Sequence, residues 1–434
     1  MTSEKTSVWP LLLSVFAASA ASLSQTTVLG KQVYDLTRSE FALGLLGLAE
    51  FAPAALLVLV TGAVADRFDR RRVAAIALVG EAAVSVGLAW YASTDPTSAA
   101  PIFWLVIAFG VTRAFVAPAE RSLPADMVPG ARLPWLVARY SAAWQAAIIA
   151  GPVLGGFLYT VHIWLPYLVN AGLTLAGAAL VLAVRIPARS KERSVEQQLV
   201  PAEAALEAAV EPVTGHAAAA APSRAGLHEA LEGLRFIRTQ PVLLGAISLD
   251  LFAVLFGGAI ALLPAIAEDR LGVGAVGLGW LRAAGGIGAA IVTVTLAVRP
   301  LHRRVGRTLL TVVAIFGVFT IVLGVTHSFT VAFVAMAVLS GADAISVFIR
   351  ATLVPLITPE GKRGRVLAVE NVFIGASNEL GAFESGVAGE LLGTAGAVVL
   401  GGAATLAIAG LWWFVFPALR NVDRFPEGAN ERAS

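Results

Sequence analysis

Cysteine is absent from the 434 residues, and histidine occurs only five times. Without thiols there can be neither a disulfide framework nor a thiolate metal site, and five scattered imidazoles give metal chemistry little material. Charge is scarce too: 14% of residues are Asp, Glu, Lys or Arg, where a soluble domain carries ~25%. No Gly-x-x-x-x-Gly-Lys-Ser/Thr loop occurs, so a primary pump with its own nucleotide site is excluded. Paired Asp-rich motifs and His-rich clusters are missing, which leaves a membrane-embedded prenyl or phosphoryl transferase without a reactive constellation. The pI of 9.1 hints at nucleic acid, but the net charge is only +2 and the basic residues lie in short clusters between apolar runs.

What the sequence has in abundance is apolar surface. Hydrophobic residues make up 57% of the chain and the mean hydropathy is +0.79. At ~20 residues per bilayer crossing there is room for about a dozen helices. Apolar runs are read at 9–30, 42–64, 73–92, 101–120, 139–160 and 164–185, then at 241–266, 275–298, 308–326, 329–350, 366–391 and 396–418. The expected fold is therefore an all-α integral membrane protein of twelve transmembrane helices in two pseudo-symmetric six-helix bundles. Ala18-Ser19-Ala20 could pass for a signal-peptidase site, but the length of the first run favours a retained helix.

The expected organisation is a first bundle at 1–185, a cytoplasmic linker at 186–240, a second bundle at 241–420 and a cytoplasmic tail at 421–434. From Pro187 to Ala225 the composition is rich in Ala, Glu and Pro, with too little apolar surface to pack as a domain. Leu227, Leu231, Leu234 and Ile237 then fall at amphipathic helical spacing, which predicts a short interfacial helix. With the N-terminus inside, the outer loops hold only Lys31, Arg38 and Arg270, while Arg113 and Arg282 lie within spans. The positive-inside rule thus predicts cytoplasmic termini and linker in a cell (plasma) membrane.

A shift of about 230 residues relates the two halves sparsely. It lays Gly151–Gly156 over Gly381–Gly386, brings Arg121 near Arg350, sets Pro129 on Pro359, and puts Arg70-Arg71-Arg72 near Arg303-Arg304. Such a repeat, about an axis along the membrane normal, is one way transporters are built.

Three motifs stand in the first half. Gly62-Ala-Val-Ala-Asp66-Arg67-Phe-Asp69-Arg70-Arg71-Arg72 follows the second span. Its glycine permits close helix approach, and its carboxylate can accept charge-assisted bonds from basic residues and helix ends. Gly151-Pro152-Val153-Leu154-Gly155-Gly156 combines a missing backbone donor with small residues suited to close packing. Arg113 sits about twelve residues into the fourth span, too deep to face lipid cheaply.

Together these resemble the signature A loop, signature C helix and signature B arginine of the major facilitator superfamily, in particular exporters of the enterobactin-exporter (EntS-like) and multidrug-efflux group. The A-type loop departs from the pattern, since Asp69 replaces the second glycine. The resemblance implies alternating access, a cytoplasmic latch at Gly62, Asp66, Arg67, Arg70 and Arg71, an antiporter-like helix at Gly151, Pro152, Gly155 and Gly156, and proton-coupled efflux of a siderophore or drug-like amphiphile. No cofactor is implied beyond a proton gradient. The expected partners are the small-molecule substrate and membrane lipid, with no nucleic acid, for a monomer and not an enzyme. Importers and uniporters also carry the A loop, and a non-transporting sensor could use the same fold.

Other polar residues stand at membrane depth. Glu50, Asp250, Arg282 and Asp343 join Arg113 as ionisable groups within spans. Under the repeat, Arg113 matches Asp343 and Glu50 falls beside Arg282, which predicts opposite charges meeting across a central cavity. Asp250 has no charged counterpart, its equivalent being near Ser19. It is thus the first candidate for proton coupling, with Arg113 in support and Glu379, Glu50 and Asp343 behind it. In the eleventh span Glu370, Ser377 and Glu384 recur every seven residues beside Asn371, Asn378 and Ser385. That spacing keeps a polar strip on one helix face. Glu384, Asn371, Ser377, Asn378, Arg282, Trp144 and Gln145 are the expected cavity-lining residues.

Overall fold

The computed structural model describes residues 7–128, 130–184 and 224–426. The expected linker therefore lies largely outside the described residues, as do the last eight residues of the tail. Among the described residues the secondary structure is helical and no strand occurs. Eleven helices among the described residues are long and apolar enough to cross a membrane. The last of them is two crossings: a helix of 56 residues would run ~84 Å at 1.5 Å per residue, against a hydrocarbon core of ~30 Å. It divides at Gly393, whose φ of 73° and ψ of 157° are not helical. The twelve-helix architecture follows.

Contacts group the chain into two units. The first contains Met1–Leu36 and Ala49–Val210. Its helices are α1 (Trp9–Thr37), α2 (Glu40–Arg67), α3 (Arg70–Ala92), α4 (Ala100–Met127), α5 (Leu133–Val161) and α6 (Leu165–Leu182). Their core joins Leu11, Leu78, Leu123, Leu136 and Val181 near one end of the bundle. Small residues set the closest approach: a Cβ on Gly151 of α5 would lie 2.6 Å from the Ala20 carbonyl of α1, and one on Gly155 would lie 2.7 Å from Ser24 Oγ. Pro152 sits inside α5 without ending it.

The second unit contains Thr37–Leu48 and Glu211–Ser434. It holds α7 (Arg224–Thr239), α8 (Pro241–Phe256), α9 (Gly274–Val298), α10 (Val305–Val325), α11 (Phe329–Ile357) and α12 (Glu360–Val415). After α8 the seventh span continues through a 3-10 turn at Ala259–Leu262 and a π turn at Ile266–Arg270. Residues 37–48 belong here by ion pairs and hydrogen bonds. Arg38 lies 3.1 Å from Asp269, Ser39 Oγ donates to Glu390 at 2.8 Å, and Thr394 Oγ1 donates to Glu40. The amphipathic α7 buries Ile237 and leaves Leu231 exposed. Its Glu232 pairs with Arg365 at 2.7 Å at the start of α12.

Several helices outrun the apolar runs that announce them. α1 continues seven residues past position 30, because Lys31 is neutralised by Asp35 one turn on and Tyr159 donates to Asp35 at 2.9 Å. The far end of α4 carries Asp126, paired with Arg70 at 2.9 Å. α11 passes through Arg350 to Ile357. A hydropathy reading stops at the first charge, whereas a helix continues past a charge that has a partner.

Candidate functional site

Each unit builds a buried ionic group in mid-helix. In the second, Arg350 Nη2 lies 2.7 Å from Asp250 Oδ1, and its Nη1 lies 3.9 Å from Glu370 Oε1. Asp250 is 6% exposed and Arg350 4%. Three helices, α8, α11 and α12, thus converge through one guanidinium. Asp250 also lines a small cleft with Ala253, Val254, Phe316, Asp343 and Ser346. The repeat gives Asp250 no charged counterpart, its equivalent lying near Ser19, but the fold supplies it with a partner on another helix, Arg350. Arg350 looked like a cytoplasmic end residue because the apolar run appeared to finish there.

In the first unit Arg113 Nη1 lies 2.8 Å from Glu50 Oε1. Thr26 of α1 reaches the same carboxylate oxygen at 3.4 Å. The crossing of α2 and α4 is tight at this level, since a Cβ on Gly110 would come within 2.2 Å of the Glu50 carbonyl. Arg113 and Glu50 are therefore partners inside one bundle. Asp343 instead shares the cleft with Asp250, and Arg282 is half-buried on α9.

The polar strip of the eleventh span is largely internal. Glu370 goes to Arg350, Ser377 Oγ and Asn378 Nδ2 both donate to the Ile374 carbonyl, and Glu379 and Ser385 are buried. Asn371 and Glu384 are half-buried. Trp144 is partly buried against the hydrophobic core of the first unit, and Gln145 beside it is half-buried.

At the A-type loop, Gly62 and Asp66 stand in the last turns of α2, with the Asp66 side chain outside the described residues, and Arg67 is exposed. Asp69, the departure from the pattern, has a structural use. It N-caps α3, accepting from Arg71 N at 3.0 Å, and pairs with the Arg71 guanidinium at 2.8 Å. The Arg71 hydrogen bond holds the Asp69 carboxyl below its ordinary range. Arg71 also donates to the Val184 carbonyl at the end of α6, and Arg70 holds Asp126. The loop thus ties together α2, α3, α4 and α6 of one bundle.

Arg350, Glu81 and Glu120 are not among the sequence candidates. Glu81 stands in mid-span as visibly as Glu50 does, so depth alone could have found it. The partnership of Arg350 depends on helix crossings that no local pattern reports.

The model of the Major Facilitator Superfamily matches residues 11–342. The chain belongs to the major facilitator superfamily. Solved structures agree with the major facilitator fold. A bacterial homologue of the human lysosomal transporter Spinster, inward-facing and unoccupied, superposes with TM-score 0.66 at 15% identity, covering 98% of this chain and 100% of that one. The human organic anion transporter MFSD10 gives 0.59 at 16% identity, over 95% and 100%. A POT family transporter in complex with 5-aminolevulinic acid gives 0.69 at 10%, over 95% and 96%. Multidrug resistance protein 1 of Bacillus subtilis (strain 168) is 36% identical over 84 residues, which is 19% of this chain and 22% of that protein. A transporter rather than an enzyme is the class these likenesses indicate.

Proposed function

We propose that this major facilitator protein is a proton-coupled exporter of small amphiphilic molecules, drug-like or siderophore-like, working by alternating access in the cell membrane with both termini inside. The observation that carries the reading is Asp250, buried in mid-helix, held by Arg350 and bordering a cleft with Asp343. A carboxylate in hydrocarbon must be paired or protonated. Asp250 has a choice of both, because Glu370 can keep Arg350 neutralised when Asp250 takes a proton. Arg350 therefore replaces Arg113 as the group that displaces the proton.

Export and amphiphilic cargo are supported by the Gly151–Gly156 helix and by the stretch shared with Multidrug resistance protein 1. Ethidium is a suitable probe cation. In proteoliposomes, Asp250→Asn should abolish ethidium efflux driven by a pH gradient while ethidium exchange continues. Undiminished pH-driven efflux by this variant would place the carrier elsewhere, with Asp343 and Glu379 the next to test. Accumulation of ethidium and a panel of siderophores in cells with and without the protein then tests the substrate class.

A further inference from the structure

The first unit contains more buried acid than its single mid-membrane pair uses. Glu81 lies at the middle of α3 and is 3% exposed. Glu120, two turns beyond Arg113 on α4, is 6% exposed, and its Oε1 is buried with no hydrogen-bond partner. Glu81 lies within electrostatic reach of Arg113 and Glu120 on α4 and of Glu50 on α2. The crossing that brings them together is close, since Thr112 packs directly on Gly80. On its other sides α3 meets little charge. From α1, Gln25 is hydrogen-bonded to Ser85 one turn from Glu81. From α6 the titratable side chain is Tyr167, which is bonded to Gln32. Arg113 is the cation within reach of Glu81, and Glu50 already occupies it at 2.8 Å.

Two bare carboxylates at this depth would be strongly unfavourable, so positive charge must come from a ligand. A metal ion is a poor fit, for no three acidic or imidazole side chains among the described residues converge closely enough to hold one. A proton needs no such convergence. We propose that Glu81 and Glu120 form a second proton site, in the first half of the chain and separate from Asp250. Each carboxylate takes one proton from water and returns it to water, with no other bond made or broken. Glu81 is the deeper station, in range of the Arg113 charge. Glu120 lies nearer the cytoplasmic end of α4 and exchanges with Glu81. The site rests on the proton-coupled reading for its use, but its occupancy does not.

Difference infrared spectroscopy of the purified full-length protein in lipid tests occupancy without any substrate. The carbonyl stretch of protonated carboxylic acids should be visible at neutral pH, and Glu81→Gln and Glu120→Gln should each remove intensity that Asp250→Asn leaves in place. In proteoliposomes, the same two variants should flatten the pH profile of ethidium efflux, which a merely structural role would not do. If neither variant changes the infrared band, the second site does not exist, whatever the transport result. Displacement of the band by ethidium at constant pH would show proton and ethidium competing for these carboxylates, which supports the site. A band lost in the glutamate variants together with pH-independent transport in the native protein would preserve the site while removing the proton-coupled function.

Discussion

Arg350 is the residue on which most of the second unit's buried charge converges. Removing one member of a buried ion pair leaves the other uncompensated, an effect of about 3–5 kcal/mol. Arg350→Leu should therefore lower thermal stability in detergent by about that amount, and adding Asp250→Leu should recover part of it. Strictly additive losses would show that the 2.7 Å contact carries no coupling. Asp69 makes a smaller and pH-dependent contribution. Its carboxyl titrates below the ordinary value of 3.8 because Arg71 donates to it. The contribution is thus complete above that ordinary value and disappears as pH falls through the lowered one. Asp69→Ala should cost about 1 kcal/mol near neutrality, as for other helix caps. Melting curves of variant and native protein should converge in acid; a gap that persists there would exclude the carboxylate as its source. Sequence alone identified Asp69 as the departure from the motif and Arg113 as a buried charge. It did not show that Asp69 caps a helix or that Arg113 reaches Glu50, because both depend on which backbone group or helix happens to stand opposite.

At the scale of elements, apolar runs located every crossing, while helix ends were not legible where a charge has a neighbour to neutralise it. α1 passes Lys31 because Asp35 and Tyr159 surround that charge. The heptad strip on α12 was readable as a polar face, yet its destination was not: Glu370 turns to Arg350 on another helix. The Gly151–Gly156 segment was readable as a close-packing helix, and its partner is α1. Gly151→Leu would drive a side chain into the Ala20 carbonyl. Overpacking of this kind destabilises by about 1–3 kcal/mol. The expected result is a lower melting temperature and slower transport; an unaltered melt would mean that α1 and α5 separate readily at this point.

For the whole molecule, the sequence pattern of six spans, a polar interval and six more corresponds to two units that each neutralise their main buried charge internally. Glu50 with Arg113 serves one, and Asp250 with Arg350 serves the other. Local self-sufficiency of this kind predicts that the interval between them is a tether. Replacing residues 186–223 with a Gly/Ser segment of equal length should leave ethidium transport largely intact. Loss of transport with normal membrane insertion would assign that interval a regulatory or binding role. The substrate, by contrast, was never legible from composition or spacing, since a few side chains in a cleft decide it.

Gly393 has a consequence for how the chain is made. A single residue with φ of 73° reverses the direction of α12, with no soluble loop between the two crossings. The biosynthetic machinery thus receives these 56 residues as one hairpin whose arms can enter the bilayer together. Nothing at that bend is long enough to be displayed to a protease, an antibody or a sugar-transferring enzyme, so that face of the membrane is offered a corner there and no epitope.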